Sequence, residues 1–316
     1  MMLLSMLLLL AGENKTITYA AGYIPNIQFA PFYIADSRGY YAEEGIDLKM
    51  DYTIGPDVLK LVALGKVQIG SVDPDAFLHA SKRGMPIKHI ATLYQSSPIA
   101  LIARDDILEA DKLRGKSVGI TGAYGGSYLS LKAILREMGL ELKDINVRSI
   151  GYTQVSALQT GRVDAVVGYV NNEPLRLKNM DVKTHTRELG PGAMLPGVGL
   201  MTSKNYLNNH KELVEGFLRA TFRGMHDVIS DPEGAYAEVV EKFLPELSEK
   251  YRFQAEREVL MATLPYWKTA YIQANGYGQC DPMAWERLVD QLTLENETSF
   301  DSWIEWIDTS FQWKPK

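Results

Sequence analysis

The chain has a single cysteine, Cys280, among 316 residues. That excludes an internal disulfide and any cysteine-rich metal site. Positive charge is not in surplus: 33 Lys and Arg stand against 39 Asp and Glu, a net charge of −6. This balance excludes the basic footprint of a nucleic-acid binder. The five histidines, His79, His89, His185, His210 and His226, lack the spacings of metal ligands; four lie in or beside helix or strand patterns away from the strand-end loops and His185 ends a short strand, so each is expected to be structural or superficial. There is no Walker loop, dinucleotide fingerprint or nucleophile elbow. Nor is there a long apolar run beyond the first residues. Met1–Ala11 is apolar, but about ten residues fall short of the roughly 20 that a membrane span needs. Followed by polar Gly12-Glu13-Asn14-Lys15, residues 1–13 read as a signal-like segment of an exported protein. Glu13 stands where a lipoprotein signal would have its cysteine, so export without a lipid is expected.

What is present is globular: 46% hydrophobic and 23% charged residues, in a chain long enough for two domains. Residues 16–103 alternate strand and helix patterns. Ile17–Ala21, Ile46–Tyr52, Val67–Val72, His89–Tyr94 and Ala100–Arg104 read as strands. Helical patterns run from Ala30 to Tyr41 and from Pro56 to Leu64, and another opens at Asp73-Pro74. Residues 115–170 repeat this grammar. The repeat is most specific at Leu64-Gly65-Lys66-Val67 and Thr160-Gly161-Arg162-Val163. In each, glycine stops a short helix and a cation precedes an apolar strand, as the helix dipole favours. Two such units imply two lobes, each with its own sheet. A segment rich in Gly and Pro near 190–197 crosses back to Val198–Thr202. From Asn208 onward the pattern is helical, and this tail, which carries all five tryptophans, is expected to pack on the first lobe and brace the hinge.

Candidate binding residues cluster just past strand ends, where open α/β sheets take their ligands. The turn after the first strand, Gly22 to Tyr33, presents Tyr23, Asn26, Gln28 and Phe29: two rings, two amides and no charge. Asp73 follows the third strand. Tyr94 and Gln95 follow the next, and Tyr152 lies after Ile150. The turn Thr121–Ser127 contains Gly122-x-x-Gly125-Gly126. It is either a tight turn or a ligand contact through Tyr124, Gly125, Ser127 and free N–H groups. Tyr169, Asn172 and Glu173 lie after the strand 163–169. Asn172 and Glu173 suit helix capping and equally suit hydrogen bonds to a ring N–H or a hydroxylated chain. Six aromatic residues at matched loop positions, Tyr23, Phe29, Tyr94, Tyr124, Tyr152 and Tyr169, point to a flat ligand.

These residues carry a resemblance. Gly22-Tyr23-Ile24-Pro25-Asn26, Ala30-Pro31-x-Tyr33 and Gly39-Tyr40-Tyr41-x-x-x-Gly45-Ile46-Asp47 resemble the opening of bacterial solute-binding proteins related to the thiamine-pyrimidine synthases. Leu113–Gly119, Gly161–Ala165 and Asn172-Glu173 resemble later signatures of that group. The resemblance implies a two-lobed periplasmic-binding-protein type II fold with two hinge crossings, near Ala103 and Gly199. Lobe one would then comprise residues 14–103 and 200–316, and lobe two residues 104–199. It also implies a monomer that delivers its ligand to an ABC permease. The pyrimidine-binding branch and the enzymes place a histidine where this chain has Phe29, and the yeast-type enzymes need a cysteine-rich motif. Phe29 in Gln28-Phe29-Ala30-Pro31 is more similar to the riboflavin-binding branch. The expectation is thus a non-enzymatic receptor with riboflavin as transported ligand and no cofactor. The alternatives are a receptor for a thiamine pyrimidine precursor and, in another class, a pyrimidine-synthase-like or menaquinone-pathway enzyme on the same fold.

Overall fold

The computed structural model describes residues 14–54, 57–190, 195–248, 250–296 and 299–315. The signal-like segment 1–13 lies outside them. Ten strands are described: β1 (Lys15–Gly22), β2 (Ile46–Ile54), β3 (Ile69–Val72), β4 (Ile87–Thr92), β5 (Ile99–Ala103), β6 (Ser117–Ile120), β7 (Asn146–Ser149), β8 (Ala165–Tyr169), β9 (His185–Glu188) and β10 (Gly199–Ser203). They form two five-stranded sheets, ordered β2-β1-β3-β10-β4 and β7-β6-β8-β5-β9. With their flanking helices the two sheets form two α/β lobes, followed by a helical C-terminal stretch.

The repeat read from the sequence reappears as matching sheet positions. Gly65 and Gly161 both adopt a left-handed conformation, φ 70° and 69°, which glycine takes without the cost of a Cβ. Each stops its helix shortly before the strand that follows it, β3 or β8. β1 and β6 each pair in parallel with both of their neighbours. The antiparallel strand beyond comes from a crossing: β10 pairs with β3 and β4, and β5 with β8 and β9.

This topology corrects one boundary. Ile99–Ala103, assigned above to lobe one, belongs to the second sheet, so the first crossing falls between Thr92 and Ile99. The purely apolar run suits the centre of either sheet, and only pairing decides between them. The two crossings lie side by side. Val198 O accepts from Leu93 N and Tyr94 N, both at 3.1 Å, Ser97 N donates to Leu195 O at 2.8 Å, and Gly197 N to Tyr94 O at 3.0 Å. Gly197 is required here, because a Cβ would come within 2.6 Å of Tyr94 Cβ.

Alternation along β1 sends Ile17, Tyr19 and Ala21 into one hydrophobic cluster and Ala20 into another, on the opposite face of the sheet. The first cluster packs the helices Ala30–Ser37 and Lys211–Ser230, and the second takes Trp285, Leu288 and Leu292 of the helix Pro282–Asn296. The helical pattern from Ala30 to Tyr41 is broken at Gly39, φ 74°, into Ala30–Ser37 and Tyr40–Glu43. Near its end the helical tail carries only a single turn, Trp303–Trp306. Among the described residues no helix is long and apolar enough to cross a membrane.

Candidate functional site

A cleft of about 580 Å³ lies between the lobes, within the usual size for a small-molecule site. Its lobe-one wall begins at the turn after β1. Asn26 opens a short 3-10 turn, Ile27–Phe29, by accepting a hydrogen bond from Gln28 N on its side-chain oxygen at 2.9 Å. That leaves Asn26 Nδ2 without a partner among the described residues, in a side chain only 3% exposed. Phe29, half-buried, closes the turn, its ring 6.4 Å from both Phe32 and Tyr52. Gln28 Nε2 donates to Tyr94 Oη at 3.2 Å, which ties the turn to the first crossing.

The lobe-two wall comes from the ends of β6, β7 and β8. The Gly-rich stretch is not a free loop. Gly125, Gly126 and Ser127 are the first turn of the helix Gly125–Glu137. Tyr124 precedes it, 48% exposed at the rim, and its ring covers Gly122, where a Cβ would lie 2.3 Å from the ring. Tyr152 faces Tyr23 across the mouth, with ring centroids 5.4 Å apart in an edge-on arrangement. Glu173 Oε2 accepts from Tyr169 N at 2.7 Å, and burial raises the pKa of its carboxyl. Glu173 is thus held to the backbone at the end of β8 and also lines the cleft.

Of the candidates read from the sequence, Tyr23, Asn26, Phe29, Asp73, Tyr94, Tyr124, Gly125, Ser127, Tyr152, Tyr169, Asn172 and Glu173 all line this cleft. Gln95 does not. It is buried in the crossing, and its Nε2 donates to Gln279 O at 2.9 Å, so it fastens the crossing to the helical tail. A strand-end position alone did not reveal which side of the crossing it takes.

Other residues enter from elements that carried no strand-end signal. Trp267 reaches the cleft from the end of the helix Lys250–Trp267, and its ring lies edge-on to Tyr94 at 6.0 Å. Thr263 on the same helix accepts from Asn171 Nδ2 at 2.8 Å, which fixes the loop after β8. Asp75 and His79 line the cleft from the helix Pro74–Lys82, as does Lys132 from the helix Gly125–Glu137. For His79 this corrects the expectation of a residue away from the site. By contrast, His89 is wholly buried beside Trp285 and Cys280. Burial lowers its pKa to about 3 and raises that of the Cys280 thiol to about 12. An uncharged imidazole and a protonated thiol fit a structural role.

Four cleft residues hold a buried polar atom with no partner among the described residues: Asn26 Nδ2, Trp267 Nε1, Asn172 Oδ1 and Asp75 Oδ1. Buried polar groups are rarely left unpaired. Two obligatory donors and two acceptors among aromatic walls are therefore suited to a flat ligand that itself offers both donors and acceptors. Among the described residues, no group of three or more His, Cys, Asp or Glu could hold a metal ion.

A family model described as NMT1/THI5 like matches residues 26–235. The chain is similar to the riboflavin-binding protein RibY of Chloroflexus aurantiacus, at 34% identity over 86% of this chain and 79% of that protein. It is also similar to the formylaminopyrimidine-binding protein of Halalkalibacterium halodurans, at 24% identity over 92% and 87% of the two chains. Among solved structures, the periplasmic aliphatic sulphonate binding protein SsuA of Escherichia coli superposes with a TM-score of 0.68 at 16% identity, over 96% of this chain and 95% of that one. At that identity the likeness establishes the fold.

Proposed function

The chain belongs to the NMT1/THI5-like family, and on that premise we propose that it is the solute-binding component of an ABC importer and takes riboflavin between its lobes. The observation that carries the reading is the cleft itself. It is walled by Phe29, Tyr94, Tyr169 and Trp267 and contains amide and indole groups with no hydrogen-bond partner among the described residues. An isoalloxazine ring is flat, uncharged and bordered by hydrogen-bond donors and acceptors, so stacking and hydrogen bonding would reinforce one another. The likeness to RibY supports the ligand, and the relatives named as binding proteins support a carrier rather than an enzyme.

In this reading Phe29 and Tyr94 on one side, and Tyr124 and Tyr169 on the other, stack on the ring. Asn26, Asn172 and Glu173 hydrogen-bond its edge, Tyr23 and Tyr152 close the mouth, and Asp73, Gly125 and Ser127 join the lobes over the ligand. Lobe one comprises the strands of the first sheet with the helical tail, and lobe two the second sheet. The lobes close by hinge motion about the paired crossings, and an exported monomer then docks on the permease. A formylaminopyrimidine or related thiamine precursor is the second reading, favoured by the relative of that name. The cleft volume of about 580 Å³ argues for the larger ligand. Titration calorimetry with each compound separates the two: heat of binding from riboflavin alone is expected, and binding of the pyrimidine alone would reverse the assignment.

A further inference from the structure

The cleft extends beyond its aromatic end. On the helix Pro74–Lys82, Asp75 and His79 line it at a spacing of four, and Arg83 just past the helix end continues the row. At 1.5 Å per residue this wall runs for about 12 Å. Opposite, the helix Gly125–Glu137 contributes Gly125, Tyr128 and Lys132 from one face. A channel of that length between two helices is more than a ring fills.

Its chemistry is mixed. Asp75 is 6% exposed, and its Oδ1 has no hydrogen-bond partner among the described residues. The charges acting on it are those of Asp73 and Lys132. His79, Arg83 and Lys132 bring donors to the same wall. Hydroxyl groups both donate and accept, so a hydroxylated chain matches such a wall at every step. An anion there would be repelled by Asp73 and Asp75.

We propose that Asp75, with His79 and Lys132, forms a subsite for a polyol chain carried by the ring, so that the cleft distinguishes a ring with its chain from the bare ring. This rests on the flavin reading above and names the second recognition element of the same site. Burial and the nearby Asp73 raise the Asp75 carboxyl to about 7, so near neutrality it can donate as well as accept. Asp75 also borders a void of about 10 Å³ beside Ser97 and Ser130, room for roughly one water. A role confined to that void would not discriminate between ligands.

The test compares riboflavin with lumiflavin, which carries a methyl group in place of the chain, by quenching of flavin fluorescence. The wild-type chain is expected to bind riboflavin at least about tenfold more tightly, the scale of a hydrogen bond to a charged group. Asp75→Ala should bring the ratio of the two affinities close to one, mainly by weakening riboflavin. Asp75→Asn, which conserves shape, provides a second variant if the alanine chain melts early, and should reduce the same ratio. Equal affinity for both compounds in the wild type, or an undiminished ratio in both variants, overturns the subsite. Failure of both compounds to bind would remove the flavin reading itself.

Discussion

Asp73 of lobe one meets Gly126 of lobe two: the carboxylate Oδ2 accepts from the backbone N–H at 3.4 Å. The partner N–H lies in the first turn of the helix Gly125–Glu137, where the helix dipole favours a negative group. On the far side of the cleft, Arg176 pairs with Glu256 at 2.6 Å and Lys178 with Glu258 at 3.2 Å, so the helix Glu173–Lys178 is held to the helix Lys250–Trp267. The lobes are thus joined on both sides.

The Asp73–Gly126 contact should act on the closed, liganded state. Asp73→Ala is expected to weaken ligand binding by about three- to tenfold, the range of one long charge-assisted hydrogen bond. The loss should fall mainly on the dissociation rate. Stopped-flow displacement reads it; an unchanged dissociation rate would mean that the contact does not hold the closed form.

Phe29 separates a stacking site from a scaffold. Phe29→Ala should lower flavin affinity by about tenfold or more, through lost stacking and lost apolar contact. The ring is half-buried and packs on Phe32 and Tyr52, so some stability is lost as well. Comparing the affinity with the melting temperature, measured without ligand, separates the two effects.

Gly197 tests the hinge. A Cβ there would lie 2.6 Å from Tyr94 Cβ and 3.0 Å from the carbonyl oxygens of Tyr94 and Ser96. Gly197→Ala must push the crossings apart, at a cost of about 1–3 kcal/mol. Urea unfolding measures that cost, and a neutral result would mean that the crossings tolerate separation.

His89 sets an acid limit to stability. Its folded pKa is lowered to about 3 by burial, against about 6.5 unfolded. Between these values the unfolded chain binds the proton and the folded chain does not, so this group lowers stability as pH falls, by up to about 1.4 kcal/mol per pH unit. Asp75, whose folded pKa is raised to about 7, has the opposite sign between about 4 and 7. The two are separated by variants. His89→Phe should stabilise the chain relative to wild type progressively from about pH 6.5 downward, and parallel pH profiles for the two chains would refute the buried neutral imidazole.

Much of the fold was legible because its signals are local. Glycine stops at Gly65 and Gly161, alternation along β1 and the Asn26 turn each depend on a few neighbouring residues. The lining of the cleft by loops after β1, β3, β6, β7 and β8 followed from topology. What was missed depends on packing. Trp267 and Thr263 come from a helix more than two hundred residues away from the Asn26 turn, and no spacing rule connects them. Asp75, His79 and Lys132 sit on helices whose orientation toward the cleft is set by the neighbouring lobe. Gln95 shows that a residue past a strand end can face either the cleft or, as here, the tail.

The central claim is tested most directly by titrating the purified full chain into riboflavin and following the flavin fluorescence. Saturable quenching at or below micromolar protein, with one site per chain and relief by Phe29→Ala, is the predicted result. Undiminished fluorescence at micromolar protein would contradict it.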